Sequence, residues 1–140
     1  MGQEPIFLLL CLMEIAVWPT FRSNNARALI DFLCSAFGFE ETFVVPSEDG
    51  KKIAHAQLKW PLGGGVMLGD SGMHDVELGH VGCASVYLIT DQPDALFKRS
   101  TTAGAEVVLP LSDQEDYESR GFSVKDPDGN VWSFGTYCGE

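Results

Sequence analysis

The sequence predicts an α+β fold in which two βαβββ modules form a curved mixed sheet around a cavity. Three observations support this fold class. Two apolar helical patterns match at an offset of 67 residues (95 − 28), with Ala28-Leu29 in the first and Ala95-Leu96 in the second. Each pattern has one strand-like run before it and three after it. Turn residues repeat as well, because Trp60-Pro61 matches Asp126-Pro127 at an offset of 66 (126 − 60). One module alone is too small to bury its sheet, so two are expected to pair.

The first module is predicted to begin with a strand and a helix. Glu14–Arg22 alternates enough for a strand, and Pro19 places that strand at an edge or a bulge because proline has no N–H to donate. Asn24 or Asn25 is expected to cap a helix that runs to about Phe37. Three short strands separated by turn residues then complete the module, at Phe39–Pro46, Lys51–Lys59 and Gly65–Gly69.

The second module repeats this order. Cys83–Thr90 is an apolar run that suits a strand. Asp91 is expected to cap a second helix, with Pro93 in its first turn and Gly104 at its end. Three further strands are predicted at Glu106–Leu111, Gly121–Lys125 and Val131–Tyr137.

These elements divide the chain into an N-terminal extension and one domain. The run Ile6–Met13 is strongly apolar, lacks the features of a signal peptide and is much shorter than the ~20 residues of a membrane span. We expect it to pack on the domain or on a partner subunit, including as an added edge strand, and the sequence does not choose between these. The predicted boundaries are 1–13 for the extension, 14–137 for the domain, 14–70 and 83–137 for the modules and 71–82 for the connector.

The final hairpin, Arg120–Tyr137, indicates how a cavity wall is built. The turn Asp126–Asn130 joins two strand-like runs. In the second run Trp132 and Phe134 share one face, which suits a core, and Ser133 lies on the opposite face. A strand with large side chains on one face and small or polar side chains on the other is typical of a cavity wall.

Composition restricts the partners. The net charge of −11 argues against nucleic acid and anionic membranes and mildly favours a cationic ligand, although acidity also serves solubility alone. The four cysteines include no Cys-x-x-Cys pair and are expected to be reduced thiols of a cytoplasmic protein.

Three short motifs, together with the paired modules, resemble the vicinal oxygen chelate superfamily. They are Ala-Phe-Gly-Phe-Glu at 36–40, Ala-Gly-Ala-Glu at 103–106 and Asp-Pro-Asp-Gly-Asn at 126–130. That superfamily includes glyoxalase I, extradiol dioxygenases, fosfomycin-resistance enzymes and bleomycin-resistance proteins. The resemblance implies the glyoxalase/bleomycin resistance fold, a homodimer, and either antibiotic binding, as in drug resistance, or a glyoxalase-like lyase activity.

The resemblance does not extend to a metal site. Metal enzymes of the superfamily take His, Gln or Glu ligands from the first and last strands of each module. The repeat offsets place Trp18, Met67, Ser85 and Ser133 at those positions. None is an imidazole or a carboxylate, which a divalent ion prefers. We therefore expect no metal and no other cofactor.

A ligand pocket is nevertheless expected on the inward faces of the strands. Aromatic, small and amide side chains are typical of a site for a flat or extended organic molecule. In the alternative, Trp18 and Met67 simply fill the former metal cavity. The candidate ligand-binding residues are Trp18, Thr20, His55, Gln57, Met67, Ser85, Tyr87, Ser123 and Ser133.

Two other groups of polar residues are candidates for chemistry. His55 is the histidine on a predicted strand, so it is the candidate general base, and Gln57 can donate a hydrogen bond but cannot act as a base. An acidic cluster around Tyr117 suits a solvated turn or a rim that attracts a cation, and a connector cluster is expected to be a solvated loop. The clusters are Asp113, Glu115, Asp116 and Glu118, and His74, Asp75, Glu77 and His80.

The leading hypothesis is a metal-free protein that binds a small organic ligand, with Trp18 and Tyr87 stacking on it. An alternative is a lyase or isomerase that acts on a carbonyl compound, through His55 or an atypically bound metal. A second alternative is a degenerate module that serves only dimerisation.

Overall fold

The computed structural model describes residues 15–76 and 78–140, so the apolar extension and the residues at 14 and 77 lie outside it. The chain forms eight strands and two helices, the first of which continues into a π-helical turn. In chain order they are β1 (Thr20–Ser23), α1 (Ala26–Phe32), the π-helical turn (Leu33–Phe37), β2 (Glu40–Pro46), β3 (Ile53–Lys59), β4 (Gly65–Asp70), β5 (Ser85–Ile89), α2 (Pro93–Thr102), β6 (Glu106–Asp113), β7 (Arg120–Lys125) and β8 (Val131–Gly135).

The strands form two four-stranded mixed sheets with the same topology, in the orders β1-β4-β3-β2 and β5-β8-β7-β6. In each sheet the first strand of the module runs parallel to the last, and the other pairs are antiparallel. Thr20 lies opposite Met67, and Tyr87 lies opposite Ser133 at the same place in the second module. The predicted α+β class and its two βαβββ modules are confirmed, as two separate open sheets.

The first helix begins and ends where its sequence predicts. The Asn25 side chain accepts a hydrogen bond from the Ala28 N–H at 3.1 Å, which caps α1. The π-helical turn extends the helical segment to Phe37, and Gly38 follows with a φ of 90°. Within residues 15–76 and 78–140, neither helix has the length and apolar character needed to cross a membrane.

Several predicted boundaries differ from the observed ones, and two of the differences have a local cause. β1 begins at Thr20 because Pro19 has no N–H, and only its carbonyl joins the sheet, by accepting from the Met67 N–H at 2.9 Å. The cap residue of α2 is Gln92 rather than Asp91. Thr90 supplies the side-chain hydrogen bond at this turn, because its Oγ1 accepts from the Gln92 N–H at 3.1 Å.

The two modules share one hydrophobic core centred on Trp132. Its indole is fully buried and lies 5.3 Å from the Phe21 ring and 5.7 Å from the Phe37 and Phe39 rings, between centroids. These three phenylalanines belong to the first module and Trp132 to the second. The sheet faces that carry the large apolar residues are therefore turned toward a common interior.

The helical segments add polar contacts between the modules. The guanidinium of Arg99 on α2 donates to the carbonyls of Ser35 at 2.9 Å and Cys34 at 3.0 Å. A cation at the C-terminal end of a helix is favourable because the last carbonyls lack helical partners. The buried Ser100 hydroxyl also donates to the Ala36 carbonyl at 3.3 Å.

The turn after β7 is organised by Asp126. One carboxylate oxygen accepts from the backbone N–H groups of Asp128, Gly129 and Asn130 at 2.8–3.1 Å. The other accepts from the Asn130 side-chain amide at 2.9 Å and the Trp132 indole at 2.8 Å. This carboxylate therefore fixes the turn and the main core residue together.

Asp128 in the same turn contacts the first module. Its carboxylate accepts from the Ser23 hydroxyl at 2.6 Å and the Asn24 N–H at 3.4 Å. Those residues follow β1, so the turn of the second module is tied to the start of the first helix.

Candidate ligand-binding site

A row of side chains crosses the second sheet on the face away from the shared core. Tyr87 on β5, Ser133 on β8 and Ser123 on β7 lie opposite one another, followed by Leu109 on β6. The alternation along β8 places Ser133 outward because Trp132 and Phe134 are buried. The Ser123 and Ser133 hydroxyl oxygens are 2.6 Å apart, within hydrogen-bond distance.

This row is the floor of a cavity of about 540 Å³. The volume lies in the range typical of sites for small organic molecules. Three of the predicted ligand-binding residues, Tyr87, Ser123 and Ser133, line it together. The other lining residues are Leu109, Pro110, Ser112, Gln114, Tyr117, Ser119, Gly121, Phe122, Phe134 and Gly135.

Tyr87 is held in place at one end of the cavity. Its hydroxyl donates to the Tyr137 carbonyl at 2.6 Å, and burial raises the pKa of the phenol above its usual value. The ring lies against Gly135, where an added Cβ would be 2.7 Å from the Tyr87 hydroxyl oxygen. The hydrogen bond to Tyr137 orients the Tyr87 ring, and the absence of a side chain at Gly135 leaves space for it.

The acidic cluster predicted around Tyr117 lies at the rim of this cavity. Tyr117 itself lines the cavity and packs edge-to-face on Tyr137, with ring centroids 5.0 Å apart. The side chains of Glu115, Asp116 and Glu118 beside it are exposed. The rim therefore combines aromatic surface with negative charge.

One member of the acidic cluster is neutralised. Arg120 donates to Asp113 at 3.2 Å and to Asp94 on α2 at 2.8 Å. The hydrogen bond from Arg120 holds the pKa of the Asp94 carboxyl below its usual value. No ion pair involves Glu115, Asp116 or Glu118 within the described ranges, so their charge remains available to a ligand.

The remaining candidates, apart from Ser85, lie on the first sheet. Thr20, Met67 and Gln57 form a row across β1, β4 and β3, which corresponds to the row on the second sheet. His55 follows two residues from Gln57 and shares its face. Trp18 lies over Gly65, where an added Cβ would be 2.8 Å from the indole.

The His55 imidazole is engaged with Gln57. Its Nε2 lies 3.0 Å from the Gln57 side-chain nitrogen, and an amide nitrogen can only donate. His55 Nε2 is therefore the acceptor, and its lone pair is occupied. A proton-abstracting role at this nitrogen would require the hydrogen bond to break.

Eight of the nine predicted residues thus fall into two groups rather than one pocket, and Ser85 belongs to neither. Both sheets direct most of their large apolar side chains into the shared core, so the polar rows face outward, beside exposed apolar residues such as Phe43 and Leu109. None of Trp18, Thr20, His55, Gln57 and Met67 lines the 540 Å³ cavity, and neither does Ser85, which is exposed at the start of β5.

Arg22 is a polar residue of the first sheet that sequence reasoning missed. It lies two residues after Thr20 on β1 and is half-buried on the same face. Its Nη1 atom is buried. The alternation that selected Trp18 and Thr20 would have selected Arg22 as well, if it had been continued to the end of the strand.

The side chains present do not fit the metal site of the superfamily. Trp18, Met67, Ser85 and Ser133 include no imidazole or carboxylate, the ligands such ions prefer. Residues 15–76 and 78–140 also contain no group of three or more His, Cys, Asp or Glu placed to hold an ion. In the connector His74, Asp75 and His80 are exposed, and Glu77 lies outside the described residues.

Comparison with known proteins agrees with the fold and its repeated modules. Residues 15–134 match the model of the Glyoxalase/Bleomycin resistance protein/Dioxygenase superfamily. Because the match includes both modules, the chain belongs to this superfamily. No curated protein sequence matches the chain.

Solved structures show the same architecture. TioX from Micromonospora sp. ML1 is 28% identical, with a TM-score of 0.71 over 88% of this chain and 100% of that chain. A glyoxalase/bleomycin resistance protein from Streptomyces sp. CB03234 is 21% identical, with a TM-score of 0.63 over 82% and 94%. An integron cassette protein from the V. cholerae mobile metagenome is 19% identical, with a TM-score of 0.62 over 89% and 98%. The last two likenesses concern the fold alone.

Proposed function

We propose that the chain is a metal-free binding protein that takes a small organic ligand with an aromatic, cationic part. The observation that carries this proposal is the 540 Å³ cavity over the second sheet. It combines two tyrosine rings with two serine hydroxyls on a rigid sheet. Aromatic walls with a few fixed polar groups are typical of small-molecule sites.

The charge of the site favours a cation. Tyrosine faces attract cations through the ring quadrupole, and Tyr117 and Tyr87 both have substantial exposed surface. Glu115, Asp116 and Glu118 add negative charge at the rim, in a chain whose net charge is −11. Ser123 and Ser133 would accept or donate hydrogen bonds at the floor and so orient the ligand.

A binding experiment with aromatic cations tests this function. We expect berberine or acriflavine to bind the protein and raise its melting temperature, and neutral aromatic compounds of similar size to bind more weakly. Tyr117→Ala should weaken cation binding by roughly tenfold, the effect of losing one cation–π contact of about 1–2 kcal/mol. Isothermal titration calorimetry would measure the change.

Tyr117→Phe is the matched control, because it keeps the ring and should keep most of the affinity. Equal affinity of the wild type and Tyr117→Ala would contradict the proposed site, and so would failure of every aromatic cation to bind. If protein purified without chelators contains stoichiometric metal, the proposal that the chain acts without a metal is contradicted and the lyase alternative is favoured.

We also propose that the chain is a homodimer in which the first sheet of one copy covers the cavity of the other. The outward faces expose large apolar side chains, including Phe43 on β2, 52% exposed, and Leu109 on β6, 60% exposed. Phe43 lies opposite Gln57 and Leu109 opposite Ser123, so both flank the polar rows. Exposed apolar surface of this kind favours association.

Light scattering tests the assembly. The wild type at micromolar concentration should have twice the mass of one chain, and Phe43→Asp should shift it toward a monomer, because the new charge would be buried without a partner. Val76→Asp, at an exposed residue of the connector, is the control and should remain a dimer. A monomeric wild type would exclude this arrangement.

We further propose a cytoplasmic location, on the chemistry of the thiols. Cys34, Cys83 and Cys138 are free within the described part of the chain, and an oxidising compartment would favour their pairing.

A further inference from the structure

We propose that the junction between the β3–β4 turn and the start of α2 is a second binding site, which takes a free α-amino acid with an apolar side chain. The junction lies where the two modules meet, and the residues that form it belong to turns and helices rather than to the outward face of either sheet. All of them belong to one chain. Its occupancy therefore depends neither on the proposed dimer nor on a cation in the cavity over the second sheet.

The internal repeat brings a hairpin turn onto the start of a helix twice. The turns 60–64 and 126–130 have the same backbone hydrogen bonds. In each, the first N–H donates to the fifth carbonyl and the fourth N–H donates to the first carbonyl, all at 3.0 Å. Leu62 and Asp128 are therefore equivalent, since each is the third residue of its turn.

The residues before the two helices are equivalent as well. The Ser23 Oγ accepts from the Asn25 N–H at 3.1 Å, two residues along the chain. The Thr90 Oγ1 accepts in the same way from the Gln92 N–H at 3.1 Å. Ser23 and Thr90 therefore hold their hydroxyls in the same position relative to the start of the helix.

One of the two junctions is closed by a hydrogen bond, and the other is open. At the start of α1, the Ser23 hydroxyl donates to the Asp128 carboxylate at 2.6 Å. At the start of α2, Leu62 takes the place of Asp128 and has no side-chain acceptor. Thr90 is only 5% exposed, and no group in the described part of the chain accepts from its O–H. A buried donor without an acceptor is costly, so this position points to an acceptor that a ligand supplies.

A cavity of about 300 Å³ lies at the open junction. The Trp60 indole N–H donates to the Ile89 carbonyl at 2.9 Å, which fixes the turn beside the start of α2. Thr90 lines the cavity, and Leu62 at the tip of the turn is 56% exposed. The volume is at the lower end of the range for small-molecule sites, so the ligand is small. The apolar lining residues are Phe37, Trp60, Pro61, Leu62, Ala95 and Leu96.

The charged groups of the cavity specify the ligand. The equivalence with Asp128 predicts that a carboxylate accepts from Thr90. The positive end of the α2 dipole favours this anion, and so does Arg99, which lines the cavity and pairs with no described carboxylate. Asp91 lines the cavity at the place that Asn24 has in the closed junction, and its exposed carboxylate favours an ammonium group. A carboxylate, an ammonium and an apolar group for the wall together define an apolar α-amino acid.

Isothermal titration calorimetry with L-leucine tests the site. L-leucine should bind with one molecule per chain, and isoamylamine, which lacks the carboxylate, should bind at least about tenfold more weakly because the charge-assisted hydrogen bond is lost. In ¹⁵N-labelled protein, L-leucine should shift the amide resonances of Asp91 and Gln92. It should leave those of Ser123 and Ser133, at the floor of the other cavity, unchanged.

Leu62→Asp tests the equivalence of the two junctions. The new carboxylate should accept from Thr90 as Asp128 does from Ser23. This variant should therefore lose L-leucine binding without a lower melting temperature. Leu62→Ala is the matched control, because it shortens the same side chain without supplying an acceptor, and it should still bind L-leucine.

Substitutions at Thr90 separate binding from folding. Thr90→Ser keeps the hydroxyl and should keep the affinity for L-leucine, whereas Thr90→Val should weaken binding by at least about tenfold. Thr90→Val also removes the acceptor of the Gln92 N–H, so its stability should fall. If that variant does not fold, Leu62→Asp and the amide resonances of the wild type still decide.

Two neighbouring carboxylates test the ammonium group. Asp91→Asn should weaken L-leucine binding by about threefold, the effect of losing an exposed ion pair. Asp94→Asn makes the same change in charge in the first turn of α2 but does not line the cavity, so it should leave the affinity unchanged.

Three results would overturn the proposal. The first is that the wild type does not bind L-leucine, and the second is that Leu62→Asp binds it as well as the wild type does. In the third, L-leucine shifts the resonances of Ser123 and Ser133 instead of those at the start of α2, which would place the amino acid in the cavity over the second sheet.

Discussion

Replacing Asp126 with alanine should lower the free energy of unfolding by about 3–5 kcal/mol, because removing one member of a buried charged network leaves its partners unsatisfied. The carboxylate is 6% exposed and accepts five hydrogen bonds from N–H groups. Alanine would leave four of these donors without an acceptor, because only the Gly129 N–H also donates to the backbone carbonyl of residue 126, at 3.0 Å. Urea denaturation monitored by tryptophan fluorescence would measure the loss.

Asp116→Ala is the control for this prediction. Asp116 is exposed at the rim of the cavity and forms no ion pair within residues 15–76 and 78–140, so its loss should change stability by less than about 0.5 kcal/mol. Equal stability of the Asp126 and Asp116 variants would mean that the turn is held by its backbone alone.

Trp132→Ala is expected to lower the free energy of unfolding by about 3–5 kcal/mol, the range for deleting a large buried aromatic side chain. The indole is fully buried among Phe21, Phe37 and Phe39, so its removal leaves a cavity at the junction of the two modules. The unfolding transition should also become broader, because the modules lose their largest common contact. Urea denaturation followed by circular dichroism would detect both effects.

Trp132→Phe tests the packing separately from the indole hydrogen bond. This variant keeps an aromatic ring in the core but lacks the N–H that donates to Asp126 at 2.8 Å. Its free energy of unfolding should therefore fall by less than that of the alanine variant. Because Trp132 and Asp126 are in contact, their effects should not be additive. If a double variant at Trp132 and Asp126 loses as much stability as the two single variants together, the coupling seen in the structure is contradicted.

The repeated architecture could be predicted from the sequence because it depends on local patterns. Helical periodicity, turn residues and the offsets between the halves all act over short segments. The alternation along β8 correctly placed Trp132 and Phe134 in the core and Ser133 on the outer face. The Asn25 cap was one of two residues that the sequence offered, and the structure selects it.

Other features could not be predicted because they depend on residues far apart in the chain. Asp128 reaches Ser23 across 105 positions of sequence, and no local pattern indicates that pairing. The separation of the candidate residues into two groups follows from how the modules pack. A pattern of alternation identifies two faces of a strand, but it does not say which neighbour each face meets.

The shared core has a consequence for how proteins of this kind can diversify. The side chains that keep the two halves together, such as Trp132 and Phe21, point inward, whereas those that line the outer cavity, such as Tyr87 and Ser133, face the exterior. Natural variation at the exterior positions can therefore change what is recognised while leaving foldability largely intact. Because each module has its own outer face, a substitution on one face can alter recognition there without disturbing the other.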